Sequence, residues 1–227
     1  MKKTFLMLLV FLLPALVCRG QKYIALSFDD GPSVTTSAVL DVLEANGIPA
    51  SFFVIGYNIN RETAEIMRRA VSLGCDVESH TTTHPHMPAL TVEEMRAEMA
   101  VTDALIETYL GKAPDYFRPP YIDTCPLMHE VIDKTFIAGY SPHDWQSGMT
   151  AEEKVELVLS HAKDGLIVLL HDFKGNVTTV EALKTIIPAL KEQGYTFVTV
   201  PQLFELQGVS HEPHCGKVFS FRSSTSP

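Results

Sequence analysis

Tyr23-Ile24-Ala25-Leu26, a helical pattern from Val34 to Ala45, then Ser51-Phe52-Phe53-Val54-Ile55 and a second helical pattern from Glu62 to Leu73 together decide the fold. Apolar runs of strand length alternate with segments of helical period, the β-α-β-α order that builds a parallel sheet with helices on its faces. Further along, Cys75 to Ser79 reads as a third strand. Thr91-Val92-Glu93-Glu94 is a capping box, and the long helix it opens carries Val92, Met95, Met99, Ile106 and Leu110 on one core-facing stripe. Thr150-Ala151-Glu152-Glu153 opens another helix, which Asp164-Gly165 ends before Leu166-Ile167-Val168-Leu169-Leu170, a run that reads as a buried parallel strand. A third box, Thr178 to Glu181, is expected to start a helix that Pro188 kinks or divides, and Tyr195 to Val200 supplies a closing strand. The sum is one α/β domain of roughly seven β-α units, a barrel or an open sheet, and in both architectures ligands gather at the carboxyl ends of the strands.

Composition supports this. The 227 residues are 46% hydrophobic and 20% charged, enough apolar material for one independent core. A formal charge of −9, with no basic cluster beyond Arg68-Arg69, argues against nucleic acid and anionic membrane as partners and favours a neutral or cationic substrate. Lys2-Lys3, the apolar run Phe5 to Val17 and Cys18-Arg19-Gly20 read as a signal peptide over residues 1–20, which implies a secreted or periplasmic protein without stable membrane insertion after cleavage. Lipid attachment at Cys18 is the rival reading, and Leu16-Val17 before it lacks the small residue such signals place there. Cys75, Cys125 and Cys215 are then an odd set with no C-x-x-C pair, so neither a disulfide framework nor a zinc ribbon is indicated, and one bridge plus a free thiol is open. The domain is expected over 21–207, with the serine-rich 208–227 a surface tail.

The chemistry should stand at the strand ends. Ser27-Phe28-Asp29-Asp30-Gly31-Pro32 places two adjacent carboxylates at the first, where successive side chains point different ways, so that one acid could bind a metal while the other faces a substrate. An ordinary turn with solvated acids competes. Glu78-Ser79-His80-Thr81-Thr82-Thr83-His84 ends the third strand, and its two imidazoles, on a loop that His84-Pro85 keeps out of helix, read as metal ligands. His86 reads as a surface residue. Arg118-Pro119-Pro120-Tyr121 is a rigid extended loop, or else a polyproline connector with a solvated arginine. His143-Asp144-Trp145 holds the only tryptophan, a sugar platform or, on general grounds, core filler. Leu169-Leu170-His171-Asp172 brings an imidazole to the end of a buried strand, a candidate acid or base. His211, His214 and Cys215 imitate ligand spacing, but their irregular surroundings favour the bland reading.

In this order the five segments resemble the polysaccharide deacetylase (NodB-homology) family, carbohydrate esterase family four, from Tyr23 to about Leu206. The resemblance implies a distorted (β/α) barrel of about seven strands and a hydrolase that removes N- or O-acetyl groups from a carbohydrate such as chitooligosaccharide, peptidoglycan or xylan. It implies that Asp30, His80 and His84 hold one divalent ion, usually zinc, with cobalt an alternative. Asp29 would be the base, oriented by Arg118. The backbone N–H of Tyr121 would help stabilise the oxyanion, His171 held by Asp144 would be the acid, and Trp145 would wall the pocket. One position departs from the family pattern: Ser141 stands where the fourth motif has an aspartate, which puts the shape of the groove beside it in question. Two other functions remain open, a carbohydrate-binding protein without turnover and an amidase of small or cyclic amides on the same barrel.

Overall fold

The structure, a computed structural model, describes residues 20–209, 213–214 and 216–219. Residues 1–19 of the expected signal peptide, Cys18 among them, and His211 and Cys215 lie outside the described residues. Among the described residues no helix is long and apolar enough to cross a membrane.

The elements follow the expected alternation: β1 (Lys22–Gly31), α1 (Val34–Asn46), β2 (Ser51–Val54), α2 (Arg61–Ser72), β3 (Asp76–Ser79), α3 (Val92–Leu110), β4 (Tyr116–Phe117), α4 (Pro126–Val131), β5 (Thr135–Ile137), α5 (Ala151–His161), β6 (Leu166–His171), α6 (Val177–Glu192), β7 (Tyr195–Phe197), α7 (Val200–Leu206) and β8 (Val218–Phe219). All pairings are parallel, in the order β6-β1-β2-β3-β4-β5-β8, with β7 beside the first residues of β1. Beyond β5 the chain returns to β6, where Tyr140 bridges Val168, donating its N–H to the Ile167 carbonyl at 2.8 Å and accepting from the Leu169 N–H at 2.8 Å. That bridge curls the sheet into the distorted barrel.

Strand alternation divides the interior. Ile24, Leu26 and Phe28 face outward onto α1 and α6 and join a core with Val39, Leu40, Leu43, Ile186 and Leu190. Ala25 and Ser27 face inward with Phe53, Tyr116 and Ile167, and α7 closes the amino-terminal end of the barrel with Val200, Leu203 and Phe204. Asp29 continues the inward set, so the barrel axis leads from an apolar plug to a carboxylate at the other end.

Three details differ from the sequence reading. The helix α6 begins after Asn176 and not at a Thr178 box, because the Thr178 hydroxyl is taken by the Lys154 ammonium. Pro188 sits inside α6 without dividing it. Instead of a bare surface tail after Gln207, Val209 is buried, and Val218–Phe219 adds an eighth strand beside β5, with the Phe219 ring 5.1 Å from that of Phe204. Two apolar residues in a serine-rich stretch are too short a period to be seen from sequence.

Candidate active site

The two acids of β1 reach one cavity because the strand slips. Opposite β2, Asp29 is in register with Phe53 and Gly31 with Val54, so Asp30 is the extra residue of a bulge. Asp30 takes the left-handed conformation, φ 74°, which turns its carboxylate to the side already occupied by Asp29. Gly31 follows because nothing larger fits: a Cβ there would lie 2.7 Å from Asp172 Oδ2.

Thr81 and His84 also have positive φ, which folds the segment after β3 back over the cavity. Glu98 of α3 pins this loop, its carboxylate accepting from the N–H groups of Thr82 and Thr83, both at 2.8 Å, and from the Thr83 hydroxyl at 2.7 Å. No local motif marks Glu98, and its partner is legible only in three dimensions. His80 donates Nδ1–H to the Arg118 carbonyl at 2.6 Å, since a carbonyl only accepts, which leaves the Nε2 lone pair facing the cavity.

Asp30, His80 and His84 converge. Asp30 Oδ1 lies 3.5 Å from His80 Nε2 and 3.6 Å from His84 Nε2, and the three ligand atoms lie within 4.8 Å of one another. That oxygen is buried and has no hydrogen-bond partner. A carboxylate oxygen with two aimed imidazole lone pairs is the donor set of a divalent ion such as zinc, with coordination positions left open. Among the described residues it is the one such group. Burial raises the Asp30 carboxyl, but the His80 contact and the charges of His80, His171 and His84 outweigh that and hold it below its ordinary value. The His84 ring is held below its ordinary value by burial and by His80.

Arg118 is not the solvated residue of a connector. It is fully buried, shares the inward face with Tyr116, and donates Nη1–H to Asp29 Oδ1 at 2.6 Å and Nη2–H to the Ala138 carbonyl at 3.0 Å. Its guanidinium lies 4.0 Å from the centre of the Phe53 ring. Asp29 Oδ2 remains toward the Asp30-His80-His84 triad, 3.9 Å from His80 Nε2.

Asp29 and His171 are register partners on β1 and β6, so a carboxylate and an imidazole stand at the same level on adjacent strands. Asp144 Oδ1 accepts from His171 Nδ1 at 2.7 Å and its Oδ2 from the His171 N–H at 2.8 Å, which fixes the ring and turns Nε2 to the cavity. Burial disfavours the charged ring, yet the Asp144 bond and charge, with Asp29 and Asp30 beyond, raise His171 to about 8.

The cavity has a volume of about 560 Å³. Its rim is aromatic: Tyr121, at φ 60°, is 59% exposed and stacks on His86 at 4.0 Å, and Trp145 across the opening is 53% exposed. Trp145 is therefore not core filler. Ser141 lines the same cavity and accepts from the His143 N–H at 3.1 Å, so it shapes the turn that carries Asp144. Sequence reasoning also missed Asp172, buried beneath the site and bonded to the Thr36 hydroxyl. His214 lies apart, beside Asp133 at 3.1 Å.

The family profile described as Polysaccharide deacetylase matches residues 17–136. The chain belongs to the polysaccharide deacetylase family. A bifunctional xylanase/deacetylase of Pseudobutyrivibrio xylanivorans is 49% identical over 192 residues, 85% of this chain. The chain spans about a third of that relative's length, 32%. Among solved structures, the Xyl-CE4 domain of a multidomain xylanase from the hindgut metagenome of Trinervitermes trinervoides is 47% identical with a TM-score of 0.86, covering 89% of this chain and 98% of that one. A family 4 acetyl xylan esterase from Clostridium thermocellum, solved with a cobalt ion, is 39% identical with a TM-score of 0.86, covering 88% and 98%. These polysaccharide deacetylase folds share the curled parallel barrel of this chain.

Proposed function

We propose that this polysaccharide deacetylase is an exported hydrolase that removes acetyl groups from a carbohydrate polymer, with acetylated xylan as its substrate class. The observation that carries the activity is the single cavity into which the Asp29 carboxylate, the Asp30-His80-His84 triad and the tethered His171 all point. Xylan is supported by the two relatives whose names join the domain to a xylanase and by the acetyl xylan esterase. Export rests on the residue pattern of 1–20.

Asp30, His80 and His84 would hold the ion, zinc by the balance of one carboxylate and two imidazoles, with cobalt a workable substitute. When bound, a divalent ion there acidifies water and polarises the acetyl carbonyl. The chain does the rest. Asp29, its Oδ1 held by Arg118, receives the proton of the attacking water at Oδ2 as the new carbon–oxygen bond forms. The Tyr121 N–H donates to the negative oxygen that develops on the acetyl carbon. His171 delivers the Nε2 proton to the departing sugar oxygen as the ester bond breaks, leaving acetate and a free hydroxyl, and Asp144 compensates the charge of the ring before that transfer. The exposed faces of Tyr121 and Trp145 flank the opening and suit pyranose rings, whose C–H faces pack on aromatic surfaces, and the net charge of −9 suits an uncharged polymer.

The deciding test is acetate release by zinc-loaded protein from acetylated xylan, with chitooligosaccharide and peptidoglycan as parallel arms. Release from xylan above the other arms is expected. Release from none of the three would remove the deacetylase reading, and release from one of the others alone would move the substrate.

A further inference from the structure

Lys154 of α5 belongs to none of the five segments that carry the chemistry, yet it is 1% exposed and ranks among the largest fully buried side chains of the described residues. Its ammonium contacts three side-chain oxygens: Asn176 Oδ1 at 3.1 Å, Thr178 Oγ1 at 2.5 Å and Thr179 Oγ1 at 3.1 Å. All three are neutral. A buried cation satisfied only by neutral acceptors is costly unless a counter-charge stands close behind them.

That charge is Asp144. An ammonium only donates, so the Thr179 hydroxyl must accept from Lys154, and its own proton is free for Asp144 Oδ2 at 2.8 Å. For the same reason the Asn176 amide turns its oxygen to Lys154 and its nitrogen away, where Nδ2–H donates to Asp144 Oδ2 at 3.2 Å and to the His171 carbonyl at 2.9 Å. Two relays of fixed polarity thus run from Lys154 to the carboxylate that holds the imidazole. Without the ammonium, the hydroxyl is free to rotate and the amide to flip its oxygen toward the carboxylate.

We propose that Lys154 is a positioning residue for the His171 acid, setting the polarity of Thr179 and Asn176 so that both donate to Asp144 Oδ2 and share its charge while Oδ1 holds Nδ1. The role rests on the deacetylase reading above, although the arrangement can be tested without turnover. The charged and titratable groups around His171 are Asp144 and His143 from the loop after β5, Asp29 and Asp30 from β1, His80 and His84 from the loop after β3, Asp172 next on its own strand, Arg118 behind Asp29 and Lys154 behind Asp144. Arg118 is spent on Asp29, and Lys154 is the fixed cation behind Asp144. Its removal leaves His171 as the sole positive partner of Asp144, so the ring should hold its proton more tightly.

The experiment compares zinc-loaded wild type, Lys154→Met, Lys154→Arg and Thr179→Val by NMR titration of the His171 ring in the absence of substrate, and by kcat and KM against pH. For Lys154→Met the His171 titration and the alkaline limb of kcat should move upward together by about half a pH unit or more. kcat should fall about tenfold, with KM nearly unchanged. Thr179→Val should move both in the same direction by less, and Lys154→Arg should restore the wild-type midpoint. A folded Lys154→Met protein with an unmoved His171 titration overturns the proposal, as does an identical shift in Lys154→Met and Lys154→Arg, which would mark a packing effect. If Lys154→Met does not fold, Thr179→Val decides alone by the same midpoint. Wild-type protein that releases no acetate would fail the deacetylase reading and leave the ring titration to judge the relay.

Discussion

Arg118 Nη1 and Asp29 Oδ1 lie 2.6 Å apart in an ion pair whose two side chains are 0% and 2% exposed. Removing one partner of such a pair leaves a charge buried without compensation. Arg118→Met should lose about 3–5 kcal/mol of stability in urea unfolding and nearly all acetate release. The double variant Arg118→Met with Asp29→Asn should recover most of the lost stability and none of the activity. Equal stability of the two variants would show that Arg118→Met leaves no uncompensated charge on Asp29.

On the proposed mechanism the adjacent carboxylates divide by role, and metal content tests the division. Asp30→Ala should lose bound zinc and activity together. Asp29→Asn should keep zinc, read by elemental analysis after gel filtration, while kcat falls by about 10²–10⁴, the range of a lost general base. Zinc retained at full occupancy in Asp30→Ala would remove that residue from the ligand set.

As the proposed acid, His171 should set the alkaline limb. A general acid must carry its proton, so kcat/KM should fall as pH rises through about 8. Because the folded value lies above the ordinary 6.5, the same proton stabilises the fold: the contribution is complete below about 6.5 and is lost as pH rises through about 8. Asp144→Asn removes the carboxylate that raises the ring and should shift the limb toward lower pH. A limb that stays near 8 in Asp144→Asn belongs to another group.

Asp172 acts on stability in the same direction, over a lower range of pH. Burial pushes its carboxyl up to about 7, so the native protein keeps a proton that the unfolded chain releases near 3.8, and stability falls as pH rises between those values. In metal-free protein Asp172→Asn should flatten that decline and gain on the order of 2–4 kcal/mol at pH 8 relative to wild type, measured by chemical unfolding at pH 5 and pH 8. A parallel decline in both proteins would assign the dependence elsewhere.

The parts of the site legible in the sequence were those encoded by neighbours along the chain. His80 and His84 announce themselves by spacing, and the helical and strand periods give the alternation that places them. Asp29 and Asp30 are visible as a pair, but only the register slip against β2 and the left-handed Asp30 explain how adjacent residues of a strand address one cavity. Taken as a segment, Arg118-Pro119-Pro120 reads equally as a solvated connector, because its partner Asp29 is brought to it by the barrel alone. Glu98 and Lys154 sit among ordinary helix residues, and their partners stand on other elements. For Trp145, general burial tendency points inward, whereas the turn through His143, at φ 58°, delivers it to the rim.

The strand β8 covers the outer edge of β5, where Ala138 donates its N–H to the Phe219 carbonyl at 2.8 Å and Phe219 packs on Phe204. For recombinant work this fixes a boundary. A shortened form ending near Gln207 would retain every residue of the candidate site yet bare the hydrogen-bonding edge of Thr135-Phe136-Ile137, inviting edge-to-edge self-association. A tag or fused module therefore belongs beyond Phe219, where the sheet has already been sealed.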